Sequence, residues 1–161
     1  MADLDTARML KELLDREEIK EMRARYCWHV VRSDGEKLAA LYTPDGMFEV
    51  HNGGPPMIFK GREAIAKTIT QTPPGTIFPV IHNHTVVITG DDAYGTSVME
   101  AHGPTLKPDR WSGYYHDRLK RVDGRWYFTA WRWFRYYPTF ERSGLDMDEK
   151  PETGLSAQYK R

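Results

Sequence analysis

The Asp123-Gly124 dipeptide, which lies between two aromatic-rich segments, is the feature that most constrains the fold. Asp-Gly favours a two-residue hairpin turn because both positions tolerate positive φ. The flanking segments, 111–122 and 125–137, are therefore predicted to be long antiparallel strands. Two more extended segments precede them, at 77–89 and 93–102, so the second half of the chain is predicted to form a sheet.

The first half of the chain has the periodicity of helices. Within residues 5–31 the apolar positions recur at intervals of three and four: Ile19, Met22, Tyr26 and Val30. Charged residues take the other positions: Glu17, Glu18, Lys20, Glu21, Arg23 and Arg25. This pattern predicts one long helix with one buried face and one solvated face.

Shorter elements follow this helix. Ser33 or Asp34 can cap a second helix. The pattern predicts that second helix at 36–42 and a turn at 43–46. It predicts short strands at 47–52 and 57–61, and a third helix at 62–70. The predicted fold class is α+β: a strongly curved, mixed or antiparallel sheet with three helices on its concave side. Such a sheet makes a cone-shaped barrel around a hydrophobic pocket.

Composition limits the function classes. A chain of 161 residues suggests one domain, predicted at 1–137, with a polar tail or arm at 138–161. The 23 basic and 23 acidic side chains balance, which favours neither nucleic acid nor a membrane as partner. The single cysteine, Cys27, excludes an internal disulfide and suits a reducing compartment. No secretory signal is visible at the N-terminus, so we expect a cytoplasmic location.

Two side chains on the first helix are candidates for the pocket. Tyr26 lies on the apolar face, and His29 follows three residues later near the same face. A buried Tyr or His needs a hydrogen-bond partner. Both side chains therefore either pack in the core with a satisfied polar atom or line the pocket.

The segment FPVIHNHTVVITG places two histidines on one face of a strand, with Asn83 on the other. His82 and His84 either lie on an outward surface of the sheet or act inside the pocket. No third ligand lies at a matching distance in the sequence, and HExxH and CxxC patterns are lacking, so no metal site is predicted.

The two later strands carry further candidates. In GYYHDR, Tyr115 and Asp117 share one face, and Tyr114 and His116 share the other. An imidazole and a carboxylate that lie close together form a general acid–base pair. In WRWFRYY, Arg135 sits among aromatic residues and can stack on rings or bind an anionic or carbonyl oxygen.

Five segments, taken in order, resemble a known family: EEIKEMRARYCWHV, LAALYTPDG, FKGREAI, NHTVVITGDDAYGT and LKRVDGRWYF. They resemble the SnoaL-like branch of the nuclear transport factor two-like superfamily, over roughly residues 10–137. This branch includes scytalone dehydratase and bile acid 7α-dehydratase. The resemblance implies an α+β barrel cone with a deep hydrophobic pocket, a homo-dimer or homo-trimer, and proton abstraction without a cofactor.

The resemblance also implies site residues. Tyr26 matches the tyrosine on the first helix of the bile acid dehydratase, and Arg135 and Tyr137 match residues on its last strand. The carboxylate of the usual Asp–His dyad falls at Val31, and its histidine falls near 79–81, where the sequence reads Pro-Val-Ile. The nearest carboxylate is Asp34, and a bulge near Pro79 can turn His82 inward. A rebuilt site would use His82, His29 or His116 as the base, with Tyr26 and Arg135 holding substrate oxygens.

The predicted catalytic residues are Tyr26, His29, Asp34, His82, His116 and Arg135. The predicted substrate-binding residues are Phe48, Phe59, Asn83, Tyr115, Trp131, Trp133 and Tyr137.

The sequence thus predicts a cofactor-independent lyase or dehydratase, or an isomerase. It would use acid–base chemistry on a hydrophobic, aromatic or polycyclic small molecule. A retro-aldol C–C lyase uses the same residues. A protein that binds a small ligand without catalysis and an accessory subunit of a larger oxygenase are the alternatives outside enzyme catalysis.

Overall fold

The computed structural model describes residues 2–103 and 110–136. The helices in this part of the chain are α1 (Ala2–Arg32), α2 (Gly35–Ala39) and α3 (Arg62–Thr70). The strands are β1 (Tyr42–His51), β2 (Met57–Lys60), β3 (Phe78–Thr89), β4 (Asp92–His102), β5 (Arg110–Val122) and β6 (Arg125–Arg135). The α+β class and the three helices in the first half are confirmed.

The six strands form one mixed sheet in the order β2-β1-β6-β5-β4-β3. Strands β3 to β6 pair antiparallel with their neighbours in the chain, and β1 joins β6 in parallel. The turn between β5 and β6 has positive φ at both Asp123 and Gly124, as the Asp-Gly signal predicts. Strands β2 and β3 are the edges, so the described sheet is curved but does not close.

Helix α1 buries the predicted apolar face against the sheet. The side chains of Ile19, Met22, Tyr26 and Val30 are all buried. Arg23 is buried as well, which corrects its predicted place on the solvated face. Position 23 lies four residues after Ile19 and three before Tyr26, so helical geometry carries it to the same side as both.

Two local features differ from the sequence predictions. The predicted turn at 43–46 lies inside β1 as an irregularity, where the register with β6 shifts between Tyr42 and Met47. In β3 the register with β4 shifts between His82 and Thr85, and Asn83 has φ of 49°. This bulge lies a few residues after Pro79, and it changes which β3 side chains face α1.

No helix in the described part of the chain combines the length and the apolar composition that a membrane span requires.

Candidate active site

An apolar cavity of about 370 Å³ lies between the concave face of the sheet and the helices. Helix α1 contributes Tyr26 and Val30, and α3 contributes Ile69. Strands β1, β4, β5 and β6 contribute the opposite walls, because every second residue of a strand points to the same side. The volume lies in the range of small-molecule sites.

Two tyrosines form a polar spot in one wall of this cavity. Tyr26 and Tyr115 are both buried, and their rings meet edge to face at a centroid distance of 6.0 Å. Trp131 stacks on the Tyr26 ring at a centroid distance of 4.2 Å and fixes its orientation. Burial raises the pKa of both tyrosines. They are therefore protonated at neutral pH and can donate hydrogen bonds to an oxygen in the cavity.

A guanidinium forms the second polar spot. Arg135 lies at the end of β6, lines the cavity, and donates through Nη1 to Oδ1 of Asn52 at 2.9 Å. Its Nε is buried and has no hydrogen-bond partner among the described residues. A donor in this state is available to a ligand oxygen.

The aromatic residues predicted to bind substrate fall into three groups by their position in the structure. Phe48, Phe59 and Trp133 line the cavity, as does Tyr115. Trp131 is fully buried beneath Tyr26, so it supports the wall rather than forming it. Tyr137 lies outside the described residues.

The first-helix histidine and its acidic neighbour lie away from the cavity. Asp34 caps α2 by accepting from the Lys37 backbone N–H, and its carboxylate also pairs with Lys37 Nζ at 2.9 Å. His29 is half-buried near it. Burial lowers the pKa of His29, and the Asp34 charge opposes that effect. The geometry therefore gives Asp34 a capping role in place of the predicted catalytic one.

The other predicted polar residues of the strands also point elsewhere. His82 and Asn83 are exposed at the β3 bulge. His116 lies on the opposite face of the sheet, with Tyr114 at a centroid distance of 5.0 Å. All six histidines of the chain are described, and none lines the cavity. The histidines predicted as the base, His29, His82 and His116, therefore lie outside the cavity wall. For His116 the reason is that the inward face of β5 carries Tyr115 and Asp117.

A cluster that the sequence reasoning did not assemble lies behind Tyr26. Asp117 of β5 is fully buried and forms an ion pair with Nη2 of Arg23. The Arg23 guanidinium lies 5.2 Å from the Trp131 ring centroid. Burial raises the pKa of Asp117, and the Arg23 charge opposes that effect. The shared face of Tyr115 and Asp117 was visible in the sequence, but the direction of that face was not.

His84 completes this cluster. The β3 bulge turns it towards α1, and its Nε2 is buried without a hydrogen-bond partner in the described structure. Burial lowers the pKa of His84 to about 3, with further lowering by the charges of Arg23 and Arg16. The imidazole is therefore neutral at physiological pH.

Among the described residues, no three His, Cys, Asp or Glu side chains converge in a way that would hold a metal ion. The cavity wall is apolar apart from hydroxyl, amide and guanidinium groups. These groups donate hydrogen bonds and bind oxygen atoms of a ligand.

The sequence matches the model of a known domain family over residues 11–132, and that family is described as a SnoaL-like domain. The chain belongs to the SnoaL-like domain family. The match covers α1 from residue 11 onwards and most of the sheet. It includes Tyr26 and Tyr115 but ends before Arg135. The family resemblance seen in the five segments is confirmed. None of the curated proteins matches the sequence.

Solved structures agree with this family. An NTF2-like protein with a cystatin-like fold from Novosphingobium aromaticivorans superposes with a TM-score of 0.73 at 24% identity, covering 85% of this chain and 92% of that one. A candidate scytalone dehydratase from the same species gives 0.63 at 26%, covering 85% and 89%. A LinA-type hexachlorocyclohexane dehydrochlorinase from Novosphingobium barchaimii gives 0.67 at 18%, covering 80% and 90%.

Proposed function

We propose that this SnoaL-like protein is a cofactor-independent lyase of the dehydratase type that acts on a hydrophobic, aromatic small molecule. The observation that carries the proposal is the apolar cavity with two separate donor groups, the Tyr26–Tyr115 pair and Arg135. The structural likeness to a candidate scytalone dehydratase supports the same reaction class.

The two donor groups suit an elimination. Arg135 would bind an oxyanion of the substrate, which forms when an acidic hydroxyl such as a phenol loses its proton to water. A buried donor aimed at developing charge contributes about 3 kcal/mol to the transition state. The electron pair of that oxyanion would expel a hydroxide group near Tyr26. Tyr26 would protonate the leaving group, so that water is released.

This scheme differs from our sequence hypothesis in one respect. The substrate itself, rather than a histidine, supplies the first anion, because none of the six histidines lines the cavity. A retro-aldol C–C cleavage would begin from the same kind of oxyanion. A homo-dimer or homo-trimer and a cytoplasmic location stay predictions.

The test is a screen of hydroxylated aromatic compounds. Binding is followed by the intrinsic tryptophan fluorescence of the protein, and products are identified by mass spectrometry. Tyr26→Phe and Arg135→Gln should each lower kcat/KM at least about tenfold. Tyr127→Phe and Arg125→Gln are matched controls outside the cavity. Binding without any product would make the protein a ligand carrier, and unchanged turnover in both cavity variants would overturn the proposal.

A further inference from the structure

The Arg23–Asp117 cluster contains an unusual concentration of buried polar atoms that lack partners. Within the described residues these atoms are Arg23 Nε and Nη1, Asp117 Oδ2, His84 Nε2, Ser97 Oγ and Tyr42 Oη. Buried polar groups are nearly always hydrogen-bonded, to the protein or to internal water. Leaving one of them unsatisfied destabilises the folded protein. So many at one place indicate a hydration site.

Gly95 of β4 brings two of these atoms together. A Cβ built on this residue would lie 2.6 Å from Asp117 Oδ2 and 2.9 Å from His84 Nε2, which is closer than atoms in contact can lie. The two atoms therefore both pack directly against the backbone of Gly95. A side chain at this position would displace at least one of them.

The inward face of β4 connects this cluster to the cavity wall. Gly95, Ser97 and Met99 follow one another on the inward face of β4, and Met99 lines the cavity. On β5 the inward residues Asp117 and Tyr115 lie opposite Gly95 and Ser97 in the register. Ser97 thus stands between the hydrated cluster and the tyrosine pair.

The cluster is also close to solvent on its other side. His84 lines an open groove of about 530 Å³ between α1 and the edge strand β3, together with Arg16 and Lys20. A neutral imidazole can accept a proton on one nitrogen and release one from the other. His84 therefore connects the groove to the buried side of the cluster.

We propose that Ser97, Asp117, Arg23 and His84 enclose a hydration site that returns a proton from this groove to the Tyr26–Tyr115 pair after each turnover. This inference rests on the proposed function, in which Tyr26 gives its proton to the leaving hydroxide. The Tyr26 oxyanion would take a proton from Tyr115. Tyr115 would regain one through Ser97 and the internal water, and His84 would pass in one proton from the groove. The protein returns to its starting state.

The hydration site is tested without any substrate. We expect nuclear Overhauser contacts between a long-lived water and the Cα protons of Gly95 in the wild-type protein. Gly95→Ala should abolish them. Gly54→Ala should not, because nothing lies within 4 Å of a Cβ at that position. If Gly95→Ala does not fold, the wild-type spectrum alone decides whether the hydration site exists. A wild-type spectrum without any contact between water and the Cα protons of Gly95 overturns the proposal.

The proton route is tested with the substrate found in the screen. His84→Ala should lower kcat at least about tenfold with KM unchanged, and imidazole added to the buffer should restore the rate through the open groove. His102→Ala, at the exposed end of β4, is the matched control. Full activity of His84→Ala, or a loss that imidazole does not restore, overturns the route.

These outcomes separate the two proposals. If the wild-type protein turns over no compound, the proposed function fails, and the water contacts at Gly95 alone decide whether the hydration site exists. If the wild-type protein is active and His84→Ala is as active, the proposed function stands and the route falls.

Discussion

Two Arg–Asp pairs join α1 to the sheet. The Arg23–Asp117 pair is fully buried and the Arg121–Asp15 pair is partly buried, and the two differ in how many of their polar atoms are hydrogen-bonded. Asp15 receives two hydrogen bonds from Arg121, at 2.5 and 2.6 Å, and others from Lys11 and Trp126. Arg121 also bonds Asp91. Asp117 receives one bond from Arg23, and both of these residues keep buried polar atoms without partners in the described structure.

The difference suggests different roles for the two pairs. A two-pronged pair with every oxygen bonded stabilises the fold where it forms. A buried pair that is only partly bonded gains too little to offset its desolvation, so it contributes little to stability. Such a pair is often retained at functional sites, where activity depends on groups that a stable core would exclude.

The largest expected effect concerns the satisfied pair. Asp15→Ala should lower the free energy of unfolding by about 3 kcal/mol, because among the described residues it leaves exposed Asp91 as the remaining carboxylate paired with Arg121. Urea denaturation at pH 7 measures this change. Asp5→Ala removes an exposed ion pair on the same helix and should change stability by less than about 0.5 kcal/mol. Equal losses in the two variants would contradict the comparison.

A smaller effect of opposite sign is expected for the other pair. The double variant Arg23→Met with Asp117→Leu should unfold at the same free energy as the wild-type protein, or at one up to about 2 kcal/mol higher. It removes two desolvated charges and the unsatisfied atoms that go with them. The same denaturation experiment checks this. A loss of stability like that of Asp15→Ala would show that the two pairs play the same part.

The smallest effect is a pH dependence. His84 has its pKa lowered in the folded protein, so below its ordinary value near 6.5 the unfolded chain takes up a proton that the folded chain does not. Stability should therefore fall by about 1 kcal/mol between pH 7 and pH 5, less than full burial implies because the groove admits water. In His84→Gln this part of the slope should disappear. Parallel slopes for the two proteins would contradict it.

The local elements could be predicted from the sequence. The three- and four-residue spacing of apolar side chains defines α1, and the Asp123-Gly124 turn sets the β5–β6 hairpin. Both signals come from residues close together in the chain, where backbone geometry alone decides the outcome. Tyr26 belongs to this group too, because its place on the apolar face of α1 follows from helical period.

The histidines and the buried charges could not be predicted in the same way. The alternation of side chains along a strand shows that Tyr115 and Asp117 share a face of the sheet. It does not show which face the helices bury. The packing of α1 against the concave side decides that Asp117 lies inside and His116 outside. The bulge at Asn83 similarly leaves His82 exposed while His84 turns inward.

The sequence alone determined the order of helices and strands, the hairpin, the aromatic character of the cavity and the family. The tertiary structure alone decided that the cavity has hydroxyls and a guanidinium but no imidazole, and that Arg23 meets Asp117 beneath Tyr26. The physical reason is distance along the sequence, because periodicity shows only which side chains of one segment point in the same direction. The partner that a buried charge finds depends on a residue 94 positions away in the chain.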